Sequence, residues 1–386
     1  MSSPKRSPTC WARASLAATE RTSLYAEHVA LGGRMVDFGG WDLPQQYSSI
    51  RDEHLAVRTV AGVFDLSHMG RLDVRGEGAA DYLQGLLTND VHQVEPGRAQ
   101  YTLLCREDGG ILDDLVIYRR AEEDFLVVVN AANRLKDVRW MRDQLPSGVT
   151  LDDRTHDVSL IALQGPRAES LLPASGLDAA SLPYFGFGQG EIDGVPALIS
   201  RTGYTGEDGF ELFVPAEHAA DVWRAVLAAG TAEGVLPCGL GARDACRLEA
   251  GLRLYGNDMD EATNPYDAGL GWTVKLGKGA FQGSEALATI KAAGAQRRMV
   301  GLTTIDRTIP RHDSAVLRDG AAIGRVTSGT WSFYLNRGVA MASLDAGSGD
   351  PGDRVEVDVR GRLGSAEVVA LPIYRGSVKS PTASKN

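Results

Sequence analysis

Two acids stand inside an apolar stretch, Gly109-Gly110-Ile111-Leu112-Asp113-Asp114-Leu115-Val116-Ile117. In an extended chain successive side chains point to opposite faces, so Asp113 and Asp114 look in opposite directions. A carboxylate among Leu and Val is desolvated unless donors reach it, and its proton affinity rises toward the range useful for proton transfer. On a wet edge strand the same pair is an ordinary solvated surface, and at this point both readings stand.

A second stretch runs Arg201-Thr202-Gly203-Tyr204-Thr205-Gly206-Glu207-Asp208-Gly209-Phe210-Glu211. Its glycines let backbone approach a ligand closely. Glu211, between Phe210 and Leu212, presents two oxygens that match a planar amide–amine edge. A glycine-rich surface turn is the alternative. In a third stretch, Gly239-Leu240-Gly241-Ala242-Arg243-Asp244 leads into a helix whose first N–H groups suit an anion. Arg243 there is placed to clamp a carboxylate or to form an internal ion pair with Asp244 or Glu249. A fourth pair of stretches, Asp37-Phe38-Gly39-Gly40-Trp41 and Phe64-Asp65-Leu66-Ser67-His68-Met69-Gly70, carries aromatic, Met and Gly residues able to wall a flat ring or to fill a core.

These residues need elements to hold them. Residues 101–104 and 111–118 form a predicted hairpin turning at Asp108-Gly109-Gly110. Residues 125–129 are a continuous apolar run and predict a buried strand. Phe210, Leu212 and Val214 alternate with Glu211 and Phe213, another strand. Residues 216–229 show a helical period through Ala219, Val222, Trp223 and Val226, with Gly230 as a stop. A second helix is predicted over 242–250, ended by Gly251, with Arg243 and Arg247 on one face. Beyond about residue 295 the pattern changes to short strands at 300–304, 323–327, 339–342, 355–359 and 368–371. Such spacing predicts a separate antiparallel barrel or sandwich on an α+β body.

The chain has 386 residues, 43% of them hydrophobic and 23% charged, the composition of a folded protein of two or three domains. Fifty acids against 40 Lys and Arg give a formal charge of -10, which argues against a general nucleic-acid binder. No apolar run has the length of a membrane span. The four cysteines form no C-x-x-C pair and the seven histidines no local cluster, so no metal site is expected. G-x-G-x-x-G after a strand, the P-loop and G-x-S-x-G are all missing. Residues 1–21, with Arg and Ser and the single acid Glu20, read as a disordered extension of a bacterial cytoplasmic protein. A mitochondrial transit peptide, and so a matrix location, is the other reading. Residues 376–386 are expected to be disordered.

Taken in order, several segments resemble the aminomethyltransferase (T-protein) family of the glycine cleavage system. They are Leu24-Tyr25 with His28, Met35 to Trp41, Phe64 to Met69, Gly109 to Leu115, Ala162-Leu163-Gln164-Gly165-Pro166, Gly203 to Glu211, Gly239 to Gly251, Leu254-Tyr255-Gly256-Asn257-Asp258-Met259-Asp260 and Thr327-Ser328-Gly329. The resemblance runs from about residue 22 to 375. It implies a three-domain, ring-like α+β protein, with a catalytic region of two intertwined domains over 22–295 and a C-terminal antiparallel β-barrel over 296–375.

The activity implied is transfer of the methylene carbon from the aminomethyl group on lipoylated H-protein to tetrahydrofolate. The products are 5,10-methylenetetrahydrofolate, ammonia and dihydrolipoyl H-protein. By the same resemblance Asp114 is the essential aspartate and Glu211 grips the pterin. Arg243, Tyr204, Asn130, Met69, Tyr101 and Trp272 match cavity-lining positions. H-protein is generally acidic in this family, and Arg297, Arg298, Arg337 and Arg375 are the expected docking patch. The family's Ser-Pro pair after Thr327-Ser328-Gly329 is replaced here by Ser332-Phe333-Tyr334. Two rivals share the fold: a folate-dependent demethylase of a small methylated substrate, and a folate-binding protein of iron–sulfur maintenance, whose Cys-containing signature this chain lacks.

Overall fold

The structure, a computed structural model, describes residues 19–379. The expectations for residues 1–18 and 380–386 lie outside the described residues.

Two antiparallel-rich sheets form the body. In the first, Arg98–Cys105, Ile111–Ala121, Asp124–Val129, Gly70–Arg75 and Thr150–Asp153 lie in that order. The predicted hairpin is its first pair: Arg106 N–H donates to Gly110 O at 2.8 Å, and Gly109 takes φ +86°, a conformation open to glycine. In the second sheet the order is Phe187–Ile192, Val195–Ser200, Gly209–Pro215, Val158–Gln164, Gly62–Asp65 and Leu236–Pro237. The last pair is parallel and the rest antiparallel.

Strand parity then sorts the side chains. Leu115 and Ile117 join Phe125 and Val127 in a core closed by helices Ala79–Leu86 and Arg134–Arg142. Phe210, Leu212 and Val214 join Val222, Trp223 and Val226 of helix Ala219–Gly230 in a second core. The opposite faces of the two sheets meet in a third cluster, which includes Tyr118, Leu126, Phe64, Leu160 and Phe213. Asp114 shares a face with Tyr118, and Glu211 shares a face with Phe213. Both acids therefore look into the space between the sheets, whereas Asp113 looks toward helix Arg134–Arg142.

The C-terminal unit is a closed barrel of six strands, Arg297–Thr304, Arg337–Asp345, Ala321–Ser332, Ala315–Arg318, Arg354–Val359 and Arg362–Val369. Four of the five anticipated strands extend beyond the ends expected for them; the fifth, expected over 368–371, instead runs over Arg362–Val369. Ala315–Arg318 was not anticipated, because four residues of mixed polarity carry no clear period. Leu248 of helix Leu240–Glu249 packs on Val339 and Met341, so the barrel folds back onto the body. The α+β architecture with an antiparallel barrel is the one the sequence predicts.

Two described segments expected to belong to disordered extensions are held in place. Glu20–Arg21 pairs in parallel with Trp41 and Asp42 in a small three-stranded sheet. At the other end the buried Glu207 carboxylate draws Ser377 in: its N–H and Oγ–H donate to Glu207 Oε2 at 2.9 and 2.7 Å. A buried carboxylate needs such donors, and that need orders a Ser-rich segment that composition alone assigns to a free tail.

Candidate active site

Asp114 is held from two sides. Tyr101 Oη–H donates to its Oδ2 at 3.0 Å, and Asn130 Nδ2–H donates to its Oδ1 at 2.8 Å. Tyr101 sits across the hairpin on Arg98–Cys105, and Asn130 follows the buried strand Asp124–Val129. Burial and the neighbouring Asp113 charge raise the Asp114 carboxyl to about 7, against the pull of the Tyr101 and Asn130 hydrogen bonds. A group poised there exchanges a proton readily near neutrality.

Glu211 is fixed by two hydroxyls, one from a strand of the facing sheet and one from the loop after Val195–Ser200. Tyr118 Oη–H donates to Oε2 at 3.1 Å, and Thr202 Oγ1–H donates to the same oxygen at 2.5 Å. No donor among the described residues holds Oε1. The expectation of two free oxygens is thus refined: Oε2 is engaged and Oε1 remains to take a ligand N–H. Burial raises the Glu211 carboxyl above its ordinary value. Tyr118 also ties the Asp114-bearing strand to the Glu211-bearing one.

Arg243 lies beside Glu211 and Tyr204. Its guanidinium stands 4.4 Å from the ring centroid of Tyr204, and among the described residues no carboxylate is within ion-pairing distance of it. The alternative in which Arg243 pairs with Asp244 or Glu249 is not what the structure has. Asp244 pairs with Arg247 at 2.7 Å, and Glu249 pairs with Arg58 at 2.7 Å. Burial without a partner lowers the proton affinity of the Arg243 guanidinium, the condition of a cation that awaits an anion or a strong acceptor. The helix N-terminus is a poorer anion site than its Gly-x-Gly suggested. Gly241 N–H is taken by Gln45 O at 3.0 Å, and a Cβ at Gly239 would meet Gln45 backbone at 2.5 Å.

A cavity of about 500 Å³ opens beside these groups, lined among others by Phe38, His68, Met69, Asn130, Arg243 and Tyr255. Phe64, Gln164, Tyr204 and Glu211 line a narrow cleft that shares Arg243 with it. The stretches expected to wall a flat ring thus supply Phe38, His68 and Met69. Burial, followed by the Arg243 charge, lowers His68 to about 3, so it stays neutral. Tyr204 is anchored by its hydroxyl to Arg253 O and feels the Asp114 and Arg243 charges. Trp272 stands apart: it is 59% exposed, stacks on Tyr101 at 5.8 Å and does not line the cavity. Tyr255 comes from the stretch Leu254 to Asp260 with no role expected of it, and the sequence reading gives no role to Asn133 and Asp137. Their signal was the polar spacing Asn130, Asn133 and Asp137, one helical face beginning where a buried strand ends.

Residues 24–278 match the family model of the GCVT N-terminal domain, and residues 297–375 match that of the glycine cleavage T-protein C-terminal barrel domain. The chain belongs to this aminomethyltransferase family. It is 50% identical over 359 residues to the aminomethyltransferase of Geobacillus kaustophilus and 45% identical to that of Bacillus subtilis. Each alignment covers 92% of this chain and 99% of the relative. The crystal structure of glycine cleavage system aminomethyltransferase T from Bartonella henselae superposes with a TM-score of 0.87 at 33% identity. That match covers 94% of this chain and 99% of the other.

No group of His, Cys, Asp and Glu able to hold a metal occurs among the described residues, and none of their helices is long and apolar enough to cross a membrane. Two of the arginines expected to dock an acidic carrier are already paired: Arg298 meets Asp350 at 2.8 Å, and Arg297 meets Asp345. Arg337 and Arg375 are exposed.

Proposed function

We propose that this chain moves the methylene carbon of the aminomethyl group on lipoylated H-protein to tetrahydrofolate, as the aminomethyltransferase of a glycine cleavage system in the bacterial cytoplasm. The observation that carries this reading is the placement of Asp114 and Glu211 on facing sides of two sheets, with Arg243, which has no ion-pair partner among the described residues, beside Glu211 and Tyr204. One acid is anchored to grip a planar amide edge, and the other is poised near neutrality to handle a proton.

The reduced pterin supplies the two nitrogens that accept the carbon. Glu211 Oε1 takes a ring or amino N–H and orients the ring. Phe38, Met69 and Tyr204 give it apolar and aromatic walls. Arg243 meets a carbonyl or carboxylate of the folate. Asp114 faces the reacting nitrogens, offsets positive charge that develops there and takes the proton a nitrogen releases. Of the two protons released, one leaves with the amine as ammonia and one ends on the lipoyl sulfur, which balances the transfer. Holding both reactants in one closed hollow contributes further acceleration.

Incubation with aminomethyl-loaded H-protein and tetrahydrofolate tests this. Ammonia and methylenetetrahydrofolate should appear in equal amounts, with no comparable turnover of small methylated amines, sulfoniums or ethers. The reverse pattern would replace the reading with the demethylase one. Glu211→Ala should weaken tetrahydrofolate binding by about 10–100-fold in calorimetry, the worth of a hydrogen bond to a charged group. An unchanged affinity would remove Glu211 from the site.

A further inference from the structure

Helix Arg134–Arg142 brings a third acid to the Asp113 side of the sheet. Asp137 is fully buried, and neither of its carboxyl oxygens meets an N–H or O–H donor among the described residues. The group it does reach is the Asp113 carboxyl, in a contact that becomes a hydrogen bond once either acid holds a proton. Two touching carboxylates cannot both stay ionised inside a protein, so one proton lies between them. The donors say where the charge sits. Asp113 accepts from Asn130 N–H at 2.9 Å, Asn130 Nδ2 at 2.9 Å and Asn133 Nδ2 at 2.5 Å, whereas Asp137 accepts from none. Asp113 is the anion and Asp137 the acid.

The Asn130 carboxamide links this pair to the site. Its Nδ2 donates to Asp113 Oδ1 at 2.9 Å, to Asp114 Oδ1 at 2.8 Å and to Asp114 O at 3.0 Å. We propose that Asp113 and Asp137 share one proton and act as positioning residues: neutral Asp137 holds Asp113, the Asp113 anion fixes the Asn130 carboxamide, and that carboxamide aims the Asp114 carboxylate. The single negative charge of the pair also sits beside Asp114 and keeps a proton within its reach. Facing Asp113 and Asp137 are Asn133, Lys136 and Tyr255, and facing Asp114 are Tyr101 and Tyr204. Of these, only Lys136 is cationic, and its ammonium is drawn off to Glu261 at 3.0 Å and to Leu112 O at 2.8 Å.

The positioning role rests on the carbon-transfer reading above; the shared proton does not, and the two are measured separately. A carboxyl that holds its proton more tightly folded than unfolded binds one on folding. Its stabilisation is complete below the unfolded pKa and is lost as pH rises toward the folded one. The melting temperature of the full chain should therefore fall from about pH 6 to about pH 9 more steeply than that of Asp137→Asn, which cannot titrate. Equal slopes would overturn the shared proton. In the transfer assay Asp137→Ala should lower kcat about tenfold through misplacement of Asp114, and Asp137→Asn, whose amide still donates to Asp113, should recover most of it. Asp113→Asn should move the acid limb of the rate profile down by about one pH unit or more. If Ala and Asn at 137 behave alike and the limb stays in place, the positioning role falls. A wild-type chain with no carbon transfer would sink the functional reading while the melting slopes still decide the proton.

Discussion

Asp114→Asn is expected to slow carbon transfer by about 10²–10⁴-fold while tetrahydrofolate affinity stays close to that of the unaltered chain, because the substitution removes one proton acceptor and nearly no volume. Asn keeps the planar shape and one oxygen. That oxygen can still accept from Asn130, which stands 2.8 Å away, and the Tyr101 hydroxyl, 3.0 Å from Oδ2, can rotate to accept from the new amide. What disappears is the ability to take a proton or to oppose positive charge on a folate nitrogen. The pH profile carries the sharper test. Burial and the adjacent Asp113 anion raise Asp114 to about 7, so the ionised form is lost as pH falls through neutrality. In the intact chain kcat/KM should decline on the acid side with a midpoint near that value, and the residual activity of Asp114→Asn should lack this limb. An Asn variant with full turnover at saturating H-protein would strip Asp114 of its role. A variant that is slow but keeps the limb would assign the titration to another group.

The choice of Asp114 over Asp113 comes from the family resemblance; the two-residue period supplies only their separation. Alternation alone puts Asp113 and Asp114 on opposite faces, and the same parity puts Glu211 opposite Phe210 and Leu212. The hairpin, the buried strand 125–129 and the helix through Val222 and Trp223 were legible for the same reason: each is encoded within about ten neighbouring residues. Pairing between distant positions was not. Arg58 meets Glu249 across 191 residues of sequence, and nothing near either residue announces the other. The fate of Arg243 was likewise hidden: Asp244 and Glu249 lie on its own helix, yet Asp244 pairs with Arg247 and Glu249 with the distant Arg58. Taken alone, Asp137 gives no signal in the sequence, because an acid in the first turn of a polar helix is an ordinary solvated residue unless the sheet beneath presents another acid. Trp272 was placed in the cavity by resemblance alone, and its exposure shows that a matched residue type does not fix an environment.

Arg247→Ala should be the most destabilising of the substitutions considered, by about 3–5 kcal/mol, because it leaves a buried anion without its partner. Arg247 is fully buried and joins three parts of the chain. Its Nη1 meets Asp258 Oδ2 at 2.6 Å, its Nη2 meets Ser328 Oγ of the barrel at 2.8 Å, and its guanidinium meets Asp244 on its own helix at 2.7 Å. Burial works against the charge, and the Asp244 and Asp258 carboxylates outweigh it, so the guanidinium holds its proton more tightly than an exposed arginine. Asp258 in turn accepts from Leu254 N–H at 2.9 Å and from Thr327 Oγ1 at 2.5 Å, and the turn it braces carries Leu254 and Tyr255 into the cavity wall. Loss of Arg247 therefore loosens the barrel contact and the ligand site together. Urea unfolding should show the reduced midpoint, and tetrahydrofolate affinity should fall in the same variant although Arg247 does not line that cavity. Arg247→Lys keeps one charge but cannot reach Asp244, Asp258 and Ser328 at once, so it should recover only part of the loss. Asp258→Asn in the Arg247→Ala background removes the orphaned charge: its one oxygen still accepts from Leu254 N–H, and its amide donates to Thr327 Oγ1, whose hydroxyl hydrogen turns to Met341 O. If the double variant is no more stable than the single one, the cost lies in lost packing and the ion-pair account is wrong.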